Sequence, residues 1–141
     1  MIASVIDPGT IDAYMQANYR VSDGQGFRLR IGSRSPELAG LHRLCAVDCS
    51  AFVTACNPFG EPLDDAQNEA RQQALRSEIE LAGLKHVEGV GQDPSGKWKG
   101  EPSFLILGLD LEAAKALGRR FEQNAVVWCG AAAVPQLILL R

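Results

Sequence analysis

Residues 101–129 read EPSFLILGLDLEAAKALGRRFEQNAVVWC. The run 103–109 is apolar almost throughout, as expected of a strand buried on both faces, and Pro102 is tolerated at its start because a missing N–H costs least there. Asp110 can cap a helix whose Ala114, Leu117, Gly118 and Phe121 form one apolar stripe. Asn124 suits a left-handed exit, and residues 125–129 return as a second strand. Two strands flanking one crossover helix, if they share a sheet, run parallel, so both strand starts lie at one edge.

Working outward, residues 51–56 (AFVTAC) form a short apolar run closed by Asn57, Pro58 and Gly60, which predicts a central strand. Asp64 or Asp65 caps a helix of strong formers that reaches Ala82 and stops at Gly83. Residues 85–92 alternate weakly, and Asp93-Pro94-Ser95-Gly96 turns them into a hairpin with the strand after Pro102. Toward the amino end, Ala13, Tyr14, Ala17 and Tyr19 suggest a first helix over 12–20. Phe27, Leu29 and Ile31 then alternate with Arg28 and Arg30 as a half-exposed strand near an edge. Ser35, Pro36 and Glu37 open a helix through Leu38, Leu41, Leu44 and Cys45. A last strand is expected over 137–140. This order predicts a single α+β domain, residues 1–141, a two-layer fold with helices packed on a central mixed sheet of about five or six strands.

Composition narrows the partners. The chain has 141 residues, 14 Lys and Arg against 17 Asp and Glu, and a net charge of −3, which argues against a surface devoted to nucleic acid. No stretch approaches the ~20 apolar residues of a membrane helix, and residues 1–13 lack a secretory pattern, so the expectation is a cytoplasmic chain without membrane contact. Cys45, Cys49, Cys56 and Cys129 lie in or beside apolar segments and read as reduced thiols. His42, Cys45 and Cys49 lack a second ligand pair, so no metal and no cofactor is expected. Gly89, Gly91 and Gly96 do not form a phosphate loop. His42 and His86 read as exposed residues away from any nucleophile.

The chemically useful residues are the polar ones forced inward. On a helical wheel with Asn68 at 0°, Leu75 falls near about −20°, Ile79 near about +20° and Arg71 near about −60°, so Asn68 continues the apolar stripe and Arg71 borders it. If the 51–56 strand runs antiparallel to those starting at 103 and 125, its exit brings Thr54 and Asn57 to the edge holding Glu101, Ser103, Gln123 and Asn124. Asn68 and Arg71 follow at the start of the next helix. Glu101 is the acid of this set, beside Lys97, Trp98 and Lys99. It could act as a base or bind a cation, or simply balance the two lysines. Trp98 could stack a flat ligand or cover an apolar gap.

The segments Tyr19-Arg20, Arg30-Ile31-Gly32, Phe52-Val53-Thr54-Ala55 with Asn57-Pro58, Asn68 with Ala70-Arg71, Trp98 with Glu101-Pro102-Ser103, and Gln123-Asn124-Ala125 resemble the family called domain of unknown function 3293. The likeness covers about residues 19–129, with Cys56 where the family is expected to carry an aromatic residue. It implies a small bacterial cytosolic protein and brings no established activity. The leading expectation is a module that binds a small polar ligand or a protein segment through Thr54, Asn57, Asn68, Arg71, Glu101, Ser103, Gln123 and Asn124. One alternative is a hydrolase or group-transfer enzyme with Glu101 as general base and Arg71 or Asn57 stabilising negative charge. Another is an interaction module using Arg28, Arg30 and Arg34, arginines that can equally guard an edge strand.

Overall fold

The computed structural model describes residues 3–141. Four helices, α1 (Pro8–Gln16), α2 (Pro36–Leu44), α3 (Asp65–Leu81) and α4 (Leu111–Arg120), accompany seven strands. The strands are β1 (Asn18–Val21), β2 (Phe27–Leu29), β3 (Ser50–Val53), β4 (His86–Gln92), β5 (Glu101–Leu107), β6 (Ala125–Cys129) and β7 (Pro135–Leu139). They form one sheet in the order β2-β1-β4-β5-β3-β6-β7. Every pairing is antiparallel, so the sheet is neither mixed nor limited to five or six strands. β5 and β6 do run parallel across α4, but β3 lies between them, antiparallel to both.

The seventh strand is β1, where a helix over 12–20 was expected. Ala17, Tyr19 and Val21 are buried while Arg20 is exposed, a period of two that continues the sheet. The helix ends at Gln16, and Ala17 already has extended backbone angles. β2 is an edge strand, with Arg28 exposed as its alternation predicts.

The sheet curls until its two ends meet. The Gly32 N–H donates to the Pro135 carbonyl at 2.8 Å and the Ser35 N–H to the Ala133 carbonyl at 2.9 Å. Inside the curl, Tyr19, Val21, Leu29, Phe52, Leu105, Leu107 and Val127 pack with Leu38 and Leu41 of α2. On the outer face, Ala51, Val53, Phe104 and Ile106 pack against Leu75 and Ile79 of α3 and Ala114 and Leu117 of α4. Both faces are therefore covered, and the two-layer expectation gives way to a sheet with helices on either side. β3 and β5 contribute to both cores, which explains their unbroken apolar sequence.

Helix ends follow the residues that favour them. Ser35 Oγ accepts from the Leu38 N–H, Asp64 and Gln67 form a reciprocal capping box, and Asp110 accepts from the Ala113 N–H. Gly83 takes the left-handed exit of α3 at φ 71°. After α4 the left-handed residue is Glu122, φ 57°, rather than Asn124. In α2 the buried stripe is Leu38, Leu41 and His42, while Leu44 is 82% exposed. His42 is thus buried, contrary to expectation, and its Nε2 lies 2.8 Å from Ser50 Oγ. Burial lowers its pKa, against the pull of Asp48. His86 is half-buried, edge-on to Phe104 at 5.4 Å.

Close packing inside the curl depends on Gly89, where a Cβ would sit 2.6 Å from both the Arg20 carbonyl oxygen and the Phe52 ring. The carbonyl belongs to the neighbouring strand and cannot turn aside. Gly89→Ala is expected to destabilise the fold by about 1–3 kcal/mol, read as a lower denaturant midpoint at unchanged slope.

Candidate functional site

β3 ends at Val53, and the chain then runs through Ala55 and Cys56, both fully buried, before turning at Asn57. No strand pairs with this stretch, so its peptide groups need other partners. Side chains supply them. Gln72 Oε1 accepts from the Ala55 N–H at 2.7 Å, and Arg71 Nε donates to the Ala55 carbonyl at 2.6 Å. Thr54 Oγ1 accepts from the Cys56 N–H at 3.1 Å, and Gln123 Nε2 donates to the Cys56 carbonyl at 3.1 Å. Asn68 Oδ1 accepts from the Asn57 N–H at 2.9 Å.

Four of the eight expected site residues therefore bind this segment's main chain. Thr54 also donates to the Pro102 carbonyl at 2.7 Å, and Arg71 Nη2 donates to the Phe121 carbonyl at 2.6 Å. Arg71 Nη1 lies 3.5 Å from Glu122. Gln123 makes a second bond, to the Phe121 carbonyl. The helical wheel located Asn68 and Arg71 but passed over Gln72, which sits near about +40° inside the same stripe.

Asn57 carries the network to Glu101. Its backbone is left-handed, φ 50°, a conformation Asn adopts more readily than most residues. Asn57 Oδ1 accepts from the Leu63 N–H at 3.0 Å and from Asn68 Nδ2 at 2.9 Å. Its Nδ2 donates to Glu101 Oε2 at 2.9 Å. Glu101 opens β5, and the register Tyr19–Gly91–Glu101 puts its side chain on the inner face of the curl. It makes no ion pair with Lys97 or Lys99; Lys99 pairs with Asp65 at 2.7 Å instead. Ser103 Oγ donates to the Glu101 carbonyl at 3.0 Å.

A second set of hydrogen bonds links α1 with Asn124 and Arg141. Asn124 Nδ2 donates to Tyr14 Oη at 3.1 Å, and Arg141 Nη1 donates to Asn124 Oδ1 at 3.0 Å. Tyr19 Oη donates to the Tyr14 carbonyl, and its ring meets Phe52 edge-on at 5.3 Å. The Arg141 guanidinium lies 4.3 Å over the ring of Phe59, itself left-handed at φ 53°. Tyr14 was unremarkable in sequence. Its partner stands 110 residues away, and no local pattern announces such a contact.

Burial sets the electrostatics. Lost hydration raises the Glu101 pKa, opposed by the Asn57 hydrogen bond. Burial likewise raises Tyr14 and the Cys56 thiol, and the Glu101 charge adds to both. Trp98 is 37% exposed and lines an open polar recess of about 490 Å³ with Asn18, Gln92 and Asp93. Asn18 and Gln92 alternate with Tyr19 and Gly91, so their side chains take the outer face, away from Glu101. Among the described residues no three His, Cys, Asp or Glu side chains gather as metal ligands. None of the described helices is long and apolar enough to cross a membrane.

A family model described as "Protein of unknown function (DUF3293)" matches residues 53–126, more than half of the chain. All eight expected site residues fall in that span, whereas Tyr14, Tyr19 and Arg141 lie outside it. No curated protein and no solved structure matches.

Two outcomes separate support from site. Arg71→Ala removes charged hydrogen bonds to two main-chain carbonyls and should cost about 2–4 kcal/mol, measured by chemical denaturation. For Glu101 the raised folded pKa means the fold holds the proton more tightly than the unfolded chain does. That stabilisation is complete below the ordinary Glu value of about 4.3 and is lost as pH rises through the higher folded value. Glu101→Gln keeps an acceptor for Asn57 and removes the titration. Relative to the parent, the variant should gain stability as pH climbs through that window and hold the gain above it, measured by denaturant midpoints from pH 4 to 8.

Proposed function

The chain belongs to the DUF3293 family of proteins of unknown function, and we propose that it binds a small polar ligand at the mouth of the curl, with Glu101 as the recognising group. The observation that carries this reading is the state of the Glu101 carboxyl. It is half-buried, Oε2 takes one hydrogen bond from a neutral amide, and Oε1 has no protein donor among the described residues and stays open to solvent. Asn57 holds the carboxyl and is in turn held by Asn68 and the Leu63 N–H, so the group is preorganised. Ser103 and Asn124 are themselves buried and hydrogen-bonded, to the Glu101 carbonyl and to Tyr14 and Arg141, so they act as support. Thr54, Asn68, Arg71 and Gln123 then serve the site by fixing the 54–57 segment, at one remove from the ligand.

The enzymatic alternative keeps Glu101 as a base with a raised pKa. It needs a group to stabilise developing negative charge, and the candidates are already engaged: Arg71 with two carbonyls and Glu122, Asn57 Nδ2 with Glu101 itself. This favours binding over catalysis. The basic face of Arg28, Arg30 and Arg34 offers a weaker reading, since Arg30 Nη1 donates to Asn18 Oδ1 at 3.1 Å and all three lie on or just beyond an edge strand.

Titration of a panel of small polar metabolites against the parent chain and Glu101→Gln tests the proposal. At least one compound should bind the parent and weaken about 10-fold or more in the variant. A panel in which every compound treats the two proteins alike overturns it. Asn68→Ala is unsuitable for this comparison, because it also strips the Asn57 N–H of its partner.

A further inference from the structure

Desolvated carboxylates in folded proteins are paired with a cation or neutralised, because a buried charge without compensation is costly. Among the described residues, no Lys, Arg or His nitrogen lies within 4.0 Å of Glu101. The cations of the surrounding elements are engaged elsewhere. Arg71 is bound to the Ala55 and Phe121 carbonyls, Arg141 to Asn124 and the face of Phe59, Arg30 to Asn18, and Lys99 to Asp65. The groups that sense the Glu101 charge are the phenols of Tyr14 and Tyr19 and the thiol of Cys56, all neutral and all made less acidic by it. None of them offsets the charge.

Resting on the reading of this mouth as a ligand site, we propose that Glu101 recognises a primary ammonium group on the ligand. The choice among cations follows from the oxygens. A guanidinium pairs best with a carboxylate through two parallel hydrogen bonds, and here one of the two would have to share Oε2 with Asn57 Nδ2. An ammonium is a point charge whose donors each need a single acceptor, and Oε1 supplies one. Carboxylate and phosphate ligands are disfavoured by the same oxygen.

Three probes of matched size separate the classes: butylammonium, butyramide and butyrate. Each is titrated at millimolar concentration into the full chain and into Glu101→Gln, following the side-chain amide NMR signals of Asn57 and Asn124; unchanged dispersion of the remaining spectrum establishes that the variant is folded. Butylammonium should give saturable shifts in the parent, weakened about 10-fold or more in Glu101→Gln and also weakened as acid protonates Glu101. Absence of saturation with butylammonium, or equal binding to the two proteins, overturns the ammonium assignment. In that event Glu101-dependent binding of butyramide would leave the small-polar-ligand reading standing, whereas no response to any probe together with a metabolite panel blind to Glu101→Gln would remove both.

Discussion

Peptide groups that leave a sheet while still buried cannot go unbonded, and this chain meets that constraint at residues 54–57. Ala55 and Cys56 stay in the interior after β3 has lost its strand partners. Both N–H groups and both carbonyls of these two residues are taken by side chains, from Thr54 next door, from Arg71 and Gln72 on α3, and from Gln123 after α4. The polar crowd at this end of the molecule is therefore first a solution to a backbone problem. It docks α3, and it sets the Asn57 turn from which Glu101 is addressed.

The same segment explains why support and site are interleaved. Asn68 holds the Asn57 backbone through one atom and its side chain through another, so the amide facing Glu101 has little freedom left. A carboxyl positioned by a rigid amide keeps a fixed orientation even where its hydration is poor. Tyr14, Asn124 and Arg141 form a second chain of hydrogen bonds, drawn from the first helix and the chain's far end.

Much of this geometry was legible from residue order. The crossover argument oriented β5 and β6 alike, the antiparallel course that was only assumed for β3 is the one it takes, and the helical wheel turned Asn68 inward. What it could not supply was the strand that separates β5 from β6, because register and neighbour order are decided by long-range packing. Other misses had local signals. Tyr19 and Val21 alternate with Arg20 as a strand does, yet Tyr19 also fits the helical spacing set by Ala13 and Tyr14. His42 falls four residues after Leu38 and one after Leu41, the inward positions of α2, but a reading weighted toward apolar residues preferred Leu44. Gln72 was overlooked for the same reason. Buried polar residues are the ones a hydrophobicity pattern conceals.

Closure of the sheet has a kinetic consequence. The bonds from Gly32 and Ser35 to Pro135 and Ala133 join stretches about a hundred residues apart. Contacts of such separation slow folding, since most of the chain must be ordered before they stabilise anything. Until β7 arrives, β6 lacks its outer partner, a condition under which chains associate wrongly. The completed protein conceals that hazard, and a nascent one must outlast it.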